Sequence, residues 1–179
     1  MFKEIQYVHW FKNLIFTLST PMAAVHKLTS DLYEDYFALI AMHSSLEDYG
    51  LAYTLNLYLK SNFKRRWKDL EISDNVTVPI FEWKDDINER YWTFFTNKGR
   101  GMKTMIETGL FKEDTFPEYH MIAEHREVDY FLKIEQEGSE SHRQAEIERT
   151  ISKLFAIPKI ITAYTVDIQK LKSRNNLIF

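Results

Sequence analysis

The sequence predicts an α+β domain: a mostly antiparallel sheet of about five strands with two main helices on one face. Two stretches, 46–61 and 143–155, carry apolar residues at helical spacing. Several short stretches between and around them are rich in apolar, β-branched and aromatic residues, which is typical of strands. The predicted order is strand, helix, three strands, helix, strand. This order is compatible with a ferredoxin-like split βαβ arrangement with one extra strand.

Composition indicates one globular domain. The chain has 179 residues, of which 45% are hydrophobic and 15% aromatic, so it has ample material for a core. Only 5 glycines and 4 prolines occur, which argues against long linkers. We expect a single α+β domain over residues 22–179.

Charge and cysteine content exclude several classes of function. Lys and Arg number 23 against 26 Asp and Glu, a net charge of −3, which argues against general nucleic-acid binding. The chain has no cysteine, which excludes disulfides, thiolate zinc sites and cysteine nucleophiles. Without disulfides the main argument for secretion is missing, and we expect a cytoplasmic protein.

The first 21 residues admit three interpretations. They could be a start-site extension, with translation beginning at Met22, a helix packed on the domain, or a targeting segment. The apolar run from Leu14 to Leu18 is too short to span a bilayer, which takes about 20 residues. We therefore expect no membrane span here.

The first strand and the first helix are predicted to follow each other directly. The apolar run 36–41 predicts a buried strand. Ser44 and Glu47 match the Ser-x-x-Glu capping box, which predicts a helix start just before the stretch 46–61.

The middle of the chain predicts a hairpin. We expect a strand over 76–84, a turn at Asp85-Asp86 and a strand over 90–96. Pro79 removes a ladder donor, which favours an edge or a strand end. Asn97-Lys98-Gly99 matches a turn signature that would close the second strand.

The second half predicts one more helix between two strands. Residues 99–120 look loop-like, with a short helix over 103–111. The stretch 128–135 alternates apolar and polar residues, which predicts a strand with one buried face. Helix 143–155 follows, and 160–168 is the last predicted strand.

The candidate catalytic residues are Glu124, His125 and Asp129, which lie close together in the chain. Acid–base chemistry would need one of these carboxylates to have a shifted pKa and a nearby partner, with His43 or Asn97 as further members. The alternative is ordinary ion pairing at a strand end. The chain lacks a Gly-rich phosphate loop, a Gly-x-Ser-x-Gly elbow and a His-Glu-x-x-His motif, so we lean against an enzyme.

We expect neither a metal nor a cofactor. His43 and Glu47 are four residues apart, with Asp48 adjacent, a spacing that can ligate a metal on a helix face. A third ligand is not evident, and acidic residues also stabilise the positive end of a helix without any metal.

Two basic groups, at 64–67 and 170–174, are candidate binding residues for phosphate or for RNA. Their members are Arg65, Arg66 and Trp67 in the first group and Lys172 and Arg174 in the second. Basic residues also occur at helix carboxyl ends without a ligand. An anion site would require the two groups to meet in space.

Residues Ile122-Ala123-Glu124 and Val128-Asp129-Tyr130 resemble the signature of the IPExxxVDY family of bacterial proteins, of the Bacteroidetes type. Stretches 40–56, 92–99 and 157–179 are similar to the same family, and they follow in order. Ala123 stands where the family has proline, so the rigid turn that proline gives is not implied here. The resemblance covers about residues 22–179 and implies no catalytic residues and no activity.

Three functions follow as hypotheses. The first is a small, non-enzymatic, cytoplasmic domain that binds a protein partner or itself, since unpaired sheet edges can form a homodimer. The second is an enzyme or ligand-binding protein that uses the cluster at 124–129. The third is RNA binding through 64–67 together with 170–174.

Overall fold

The computed structural model describes residues 37–73, 76–100, 104–108, 111–115 and 118–179. All of these residues lie in one compact unit. The predicted boundary at residues 21 and 22 lies outside the described residues, as does residue 36 of the first predicted strand.

The described chain contains strands and two main helices in the predicted α+β class, which is confirmed. The strands are β1 (Phe37–Ser44), β2 (Lys64–Arg65), β3 (Leu70–Ser73), β4 (Val76–Val78), β5 (Ile80–Asp85), β6 (Arg90–Thr96), β7 (Lys98–Arg100), β8 (Thr104–Thr108), β9 (Phe111–Thr115), β10 (Glu118–His120), β11 (Tyr130–Gln136) and β12 (Ile160–Val166). The helices are α1 (Asp48–Leu59) and α2 (Glu140–Phe155). Short 3-10 turns span Ala123–His125, Ile168–Lys170 and Lys172–Leu177.

The main sheet has six strands in the order β12-β1-β11-β6-β5-β2, and each neighbouring pair is antiparallel. Strands β11 and β12 flank β1 and are joined through α2, which makes a split βαβ unit of the ferredoxin-like kind. The other half departs from that arrangement. Two strands, β11 and β6, lie between β1 and β5, because the chain forms an extra hairpin there.

The helices cover one face of this sheet, as predicted. Helix α1 buries Leu51, Leu55 and Leu59 there, and α2 adds Leu154. On the strands, alternate residues face the helices, among them Phe94. Phe94 is fully buried, and its ring stacks on Phe81 with centroids 4.5 Å apart.

The opposite face of the main sheet is also buried, so the prediction of one buried face for 128–135 is wrong. It is covered by residues 121–128, by part of the second sheet and by the C-terminal segment 168–179. Strands β1, β6 and β11 are therefore buried on both sides. The alternation of polar residues in β11 is misleading because its polar Lys133 is buried as well.

Lys133 anchors the C-terminal segment to this second face. Its Nζ donates to the carbonyl of Leu177 at 3.0 Å and lies 2.9 Å from Glu135 Oε1. The rings of Phe37 and Phe179 also lie within reach of the ammonium, at 4.7 and 5.1 Å from Nζ to the centroids. A buried ammonium needs such partners, because desolvation of an unpaired charge is costly.

A second, four-stranded sheet has the order β10-β7-β4-β3. Pro79 divides the predicted strand 76–84 into β4 and β5, which belong to different sheets. The predicted turn at Asn97–Gly99 is followed at once by another strand, because β7 begins at Lys98 and contains Gly99. A Cβ at Gly99 would lie 2.9 Å from Val76 Cγ1, so this close approach requires glycine.

The short helix predicted over 103–111 is wrong. Residues 104–108 and 111–115 form the antiparallel pair β8–β9, and the predicted loop 99–120 holds four strands in total among its described residues. The stretch Thr104-Met-Ile-Glu-Thr108 carries β-branched residues that favour a paired strand over a short isolated helix.

The predicted capping box at Ser44 and Glu47 is also wrong. Glu47 is the N-cap residue of α1, but its side chain makes no capping hydrogen bond. Ser44 ends β1, where its Oγ donates to Lys159 O and accepts from Leu46 N. Helix α2, by contrast, begins at Glu140, three residues earlier than predicted. Its N-cap residue is Ser139, whose side chain accepts a hydrogen bond from the His142 backbone N–H.

None of the described helices is both long enough and apolar enough to cross a membrane.

Replacement of Phe94 by alanine tests the helix-covered core. We expect F94A to lower the free energy of unfolding by about 3–5 kcal/mol, because it removes a fully buried ring and leaves a cavity. Denaturant unfolding measures this change. The exposed Ile87 is the matched control, and I87A should stay within about 0.5 kcal/mol of the wild type. Similar losses for both variants would contradict the assigned core.

Candidate functional site

The candidate site centres on residues 121–130, which we call the motif segment. It links β10 to β11 and packs on the second face of the main sheet through Met121, Ile122 and Val128. The 3-10 turn Ala123–His125 lies between these apolar anchors. The polar residues of the segment are thereby held beside β6, β1 and the 3-10 turn Lys172–Leu177, which we call the C-terminal turn.

Asn97 fixes the start of the motif segment. It is fully buried, and its side-chain Nδ2 donates to His125 O at 2.7 Å while its Oδ1 accepts from Ile122 N at 2.8 Å. Its backbone N–H donates to Asp129 O at 2.9 Å, and its carbonyl accepts from Met121 N at 2.8 Å. The side-chain amide of Asn97 thus makes one hydrogen bond through its nitrogen and one through its oxygen, and both bonds hold the motif segment in place.

Glu124 holds the C-terminal turn. Its Oε1 accepts hydrogen bonds from the backbone N–H groups of Lys172 and Ser173, and its Oε2 accepts from Ser173 Oγ at 2.6 Å. The bond from the Ser173 hydroxyl, followed by bonds from backbone amides, lowers the pKa of Glu124 from its ordinary value of 4.5 to about 2. Such a carboxylate stays ionised at neutral pH and is a poor general base.

Asp129 and Tyr130 tie the motif segment to the loop between β1 and α1. Asp129 Oδ2 accepts from Ser44 N at 3.1 Å, and Tyr130 Oη donates to Leu46 O at 2.8 Å. Partial burial raises the pKa of Tyr130 to about 12, so the phenol remains a donor.

Asp129 also attracts two basic side chains. Lys98 Nζ lies 3.6 Å from its Oδ1, and His43 Nδ1 lies 4.0 Å from its Oδ2. The His43 ring in turn stacks on Tyr164, with centroids 6.1 Å apart. The predicted spacing of His43 with Glu47 and Asp48 therefore does not form a helix-face set, because His43 lies in β1 and contacts Asp129.

His125 makes contacts different from those of Asp129. Its Nδ1 lies 3.3 Å from Glu127 Oε1, and its ring packs edge-on to Phe131 with centroids 6.5 Å apart. Glu127 accepts from its own backbone amide and from His125, which lowers the pKa of its carboxyl group.

The three candidate catalytic residues thus make different contacts. Glu124 faces the C-terminal turn, His125 faces Glu127, and Asp129 faces β1 and Lys98. Glu124 and Asp129 both accept hydrogen bonds from backbone N–H groups, and this structural role accounts for the two acids without a catalytic one. A catalytic role for these residues stays a prediction.

The first basic group lines an open groove of about 630 Å³ beside β2. Arg65 makes a two-pronged bond to the Asp69 carboxylate, at 2.7 and 2.8 Å, and also donates to Tyr49 Oη. Arg66 pairs with Glu82 at 3.4 Å, while Trp67 is fully exposed. Acidic partners therefore offset much of the positive charge of this groove.

Lys170 and Arg174 of the second basic group are engaged with their own neighbours. Lys170 Nζ lies 2.9 Å from Asp167 Oδ2, and Arg174 Nη1 donates to Gln169 Oε1 at 3.5 Å. Lys172 contributes its backbone N–H to Glu124. The contacts found for the two basic groups are with different partners, so an anion site shared between them stays a prediction.

Among the residues that the structure describes, no group of three or more His, Asp or Glu side chains is placed to hold a metal ion.

Sequence reasoning missed the outer face of α1. Tyr53 and Leu57 are 72% and 62% exposed, although the helix buries leucines on its other side. The signal was present in the sequence, because α1 contains one charged residue, Asp48, in twelve. An amphipathic surface helix normally carries charged residues on its outer face.

The fold and the site define an α+β domain with a sheet covered on both faces, in which buried and half-buried polar residues bind one segment to another. No protein-family model, no curated protein and no solved structure matches the chain. The resemblance to the IPExxxVDY family therefore stays a prediction.

The bonded carboxylate of Glu124 predicts a pH-dependent contribution to stability. Because the pKa of Glu124 is lower in the folded state, the stabilisation is present above the ordinary value of 4.5 and is lost as pH falls from 4.5 toward 2. Wild type and E124Q should therefore differ most in unfolding free energy near neutral pH and converge near pH 2.

Denaturant titrations at a series of pH values measure this difference. E137Q is the matched control, since Glu137 is an exposed glutamate like Glu124 but lies outside this set of hydrogen bonds, and E137Q should follow the wild type at every pH. A difference between wild type and E124Q that stays constant over this pH range would contradict the bonded carboxylate.

Proposed function

We propose that the chain is a non-enzymatic, cytoplasmic protein-interaction domain. It binds its partner through the α1 stripe, which we define as Tyr49, Tyr53 and Leu57. The observation that carries the proposal is the exposure of these residues on one face of a helix that is apolar on both sides.

The spacing of the α1 stripe suits a docking face. Its members are four residues apart, so they line one side of the helix over two turns. Contiguous exposed apolar surface of this kind commonly marks interaction sites on soluble domains. Tyrosine is also enriched at interfaces, because its ring is apolar and its hydroxyl remains able to bond.

The stripe is held in a fixed position before any partner binds. Tyr49 Oη accepts a hydrogen bond from Arg65 Nη1, and its ring packs edge-on against Phe81 with centroids 5.5 Å apart. Leu51 and Leu55 are fully buried on the opposite side of the helix. A pre-formed surface loses less conformational entropy on binding.

The partner surface that fits the stripe is apolar. Asp48 is the one charged residue of α1, so charge pairing can contribute little to docking on this helix. We therefore expect binding that resists salt. RNA binding through the groove at 64–67 would show the opposite behaviour, because phosphate contacts weaken steeply as salt rises.

The polar residues of the candidate catalytic cluster support the non-enzymatic proposal. Asn97 and Glu124 are both engaged by backbone groups, and Asp129 accepts a backbone N–H from Ser44. Residues that hold the fold in this way are not free to exchange partners with a substrate.

A charged replacement on the stripe tests the proposal. A photo-crosslinking amino acid at position 53 of the otherwise unchanged chain should form a discrete adduct with a protein in extracts of the native host. The adduct should also form when the irradiation is carried out at high salt. The same crosslinker at position 49 should give the same adduct. Adding L57E to that chain should abolish the adduct, because the substitution places a carboxylate in the apolar contact.

I87E is the matched control, since Ile87 is an equally apolar and more exposed side chain in the β5–β6 turn. With the crosslinker at position 49, I87E should retain the adduct. Circular dichroism should show both variants folded, because surface substitutions usually shift stability by less than about 0.5 kcal/mol. An adduct that survives L57E, or an RNA adduct that no longer forms when salt is raised before irradiation, would contradict the proposal.

A further inference from the structure

The two edges of the main sheet differ in their protection. One edge, β2, is two residues long and consists of Lys64 and Arg65. Short length and charge are the usual means by which a sheet edge avoids pairing with another chain. The other edge is β12, which has seven residues, Ile160–Val166, and carries no charge and no proline.

Strand β12 has a partner strand on one side only among the described residues, namely β1. Its sequence Ile-Ile-Thr-Ala-Tyr-Thr-Val is β-branched or aromatic at every position except Ala163. Ile161 is 73% exposed, and Thr165 is exposed as well. A long uncharged edge with an exposed isoleucine is suited to strand addition.

We propose that β12 pairs antiparallel with β12 of a second copy, so that the two main sheets join across a two-fold axis. Full overlap of the seven residues places the axis at Ala163. In this register Ile161 faces Thr165 of the second copy, and Thr162 faces Tyr164 of the second copy. The proposal does not rest on the function of the α1 stripe.

The charges at the two ends of the strand favour a second copy as the occupant. Lys159 comes directly before β12 and Asp167 directly after it; Asp167 pairs with Lys170 of its own chain but stays half-exposed. An antiparallel pair with its axis at Ala163 brings Lys159 of each copy toward Asp167 of the other. Within the strand itself no like charges meet, which makes the edge complementary to itself.

The register can be tested by two double variants that differ only in the sign of the charge at position 165. I161K/T165K places positive charges opposite each other across the axis, twice in each dimer. I161K/T165E places opposite charges in the same positions. Within one copy the two variants change the same exposed side chains, so they share any effect on edge exposure and strand propensity.

Analytical ultracentrifugation of the full chain over a dilution series gives the dimer dissociation constant. We expect a dimer for the wild type and a dissociation constant for I161K/T165K about tenfold or more above that of I161K/T165E. I87K, at an exposed isoleucine away from the edge, should leave the wild-type constant unchanged.

Three results would overturn the proposal. They are a wild type that stays monomeric throughout the series, equal dissociation constants for the two double variants, and a dimer that L57E dissociates while I161K/T165K does not. The last result would assign self-association to the α1 stripe. Thermal unfolding of each variant separates a weakened interface from a chain that fails to fold.

Discussion

The structure depends on the need to satisfy one buried amide, that of Asn97. A buried polar group left without partners costs roughly 1–3 kcal/mol, so Asn97 requires a chain segment that supplies both a donor and an acceptor. Ile122 N and His125 O meet that requirement and fix the motif segment against β6. From there Glu124 reaches the C-terminal turn, and Asp129 reaches the end of β1. One set of polar contacts thus joins segments that are far apart in the chain.

This arrangement separates the parts of the domain that hold the fold from those that are open to partners. Asn97, Glu124 and Asp129 are engaged by other segments of the molecule, whereas the α1 stripe and the edge strand β12 carry exposed apolar side chains. If both proposals hold, a dimer formed through β12 presents two α1 stripes. Two linked docking faces bind a bivalent partner more tightly than one, without any new contact.

The sequence was sufficient for elements with a strong local pattern. Helix 143–155 and strand 90–96 agree closely with α2 and β6, because apolar periodicity and turn residues define them locally. It was insufficient where distant contacts decide. Residues 104–108 gain a strand partner at 111–115, Lys133 is buried by the C-terminal segment, and Ser44 bonds to Lys159 instead of capping α1. At the candidate site, the acids Glu124 and Asp129 could be picked out, but their backbone partners lie 85 positions away for Asp129 and 48 or 49 for Glu124.

Native-state hydrogen exchange on Asn97→Ala tests most directly whether the buried amide organises these segments. Loss of the amide should accelerate exchange at Ile122 and also at the Lys172 and Ser173 amides, by about tenfold or more relative to the amides of α2. The distant effect is expected because Glu124, which binds those two amides, is positioned by the segment that Asn97 holds. Faster exchange at Ile122 alone, with Lys172 and Ser173 unchanged, would contradict this account.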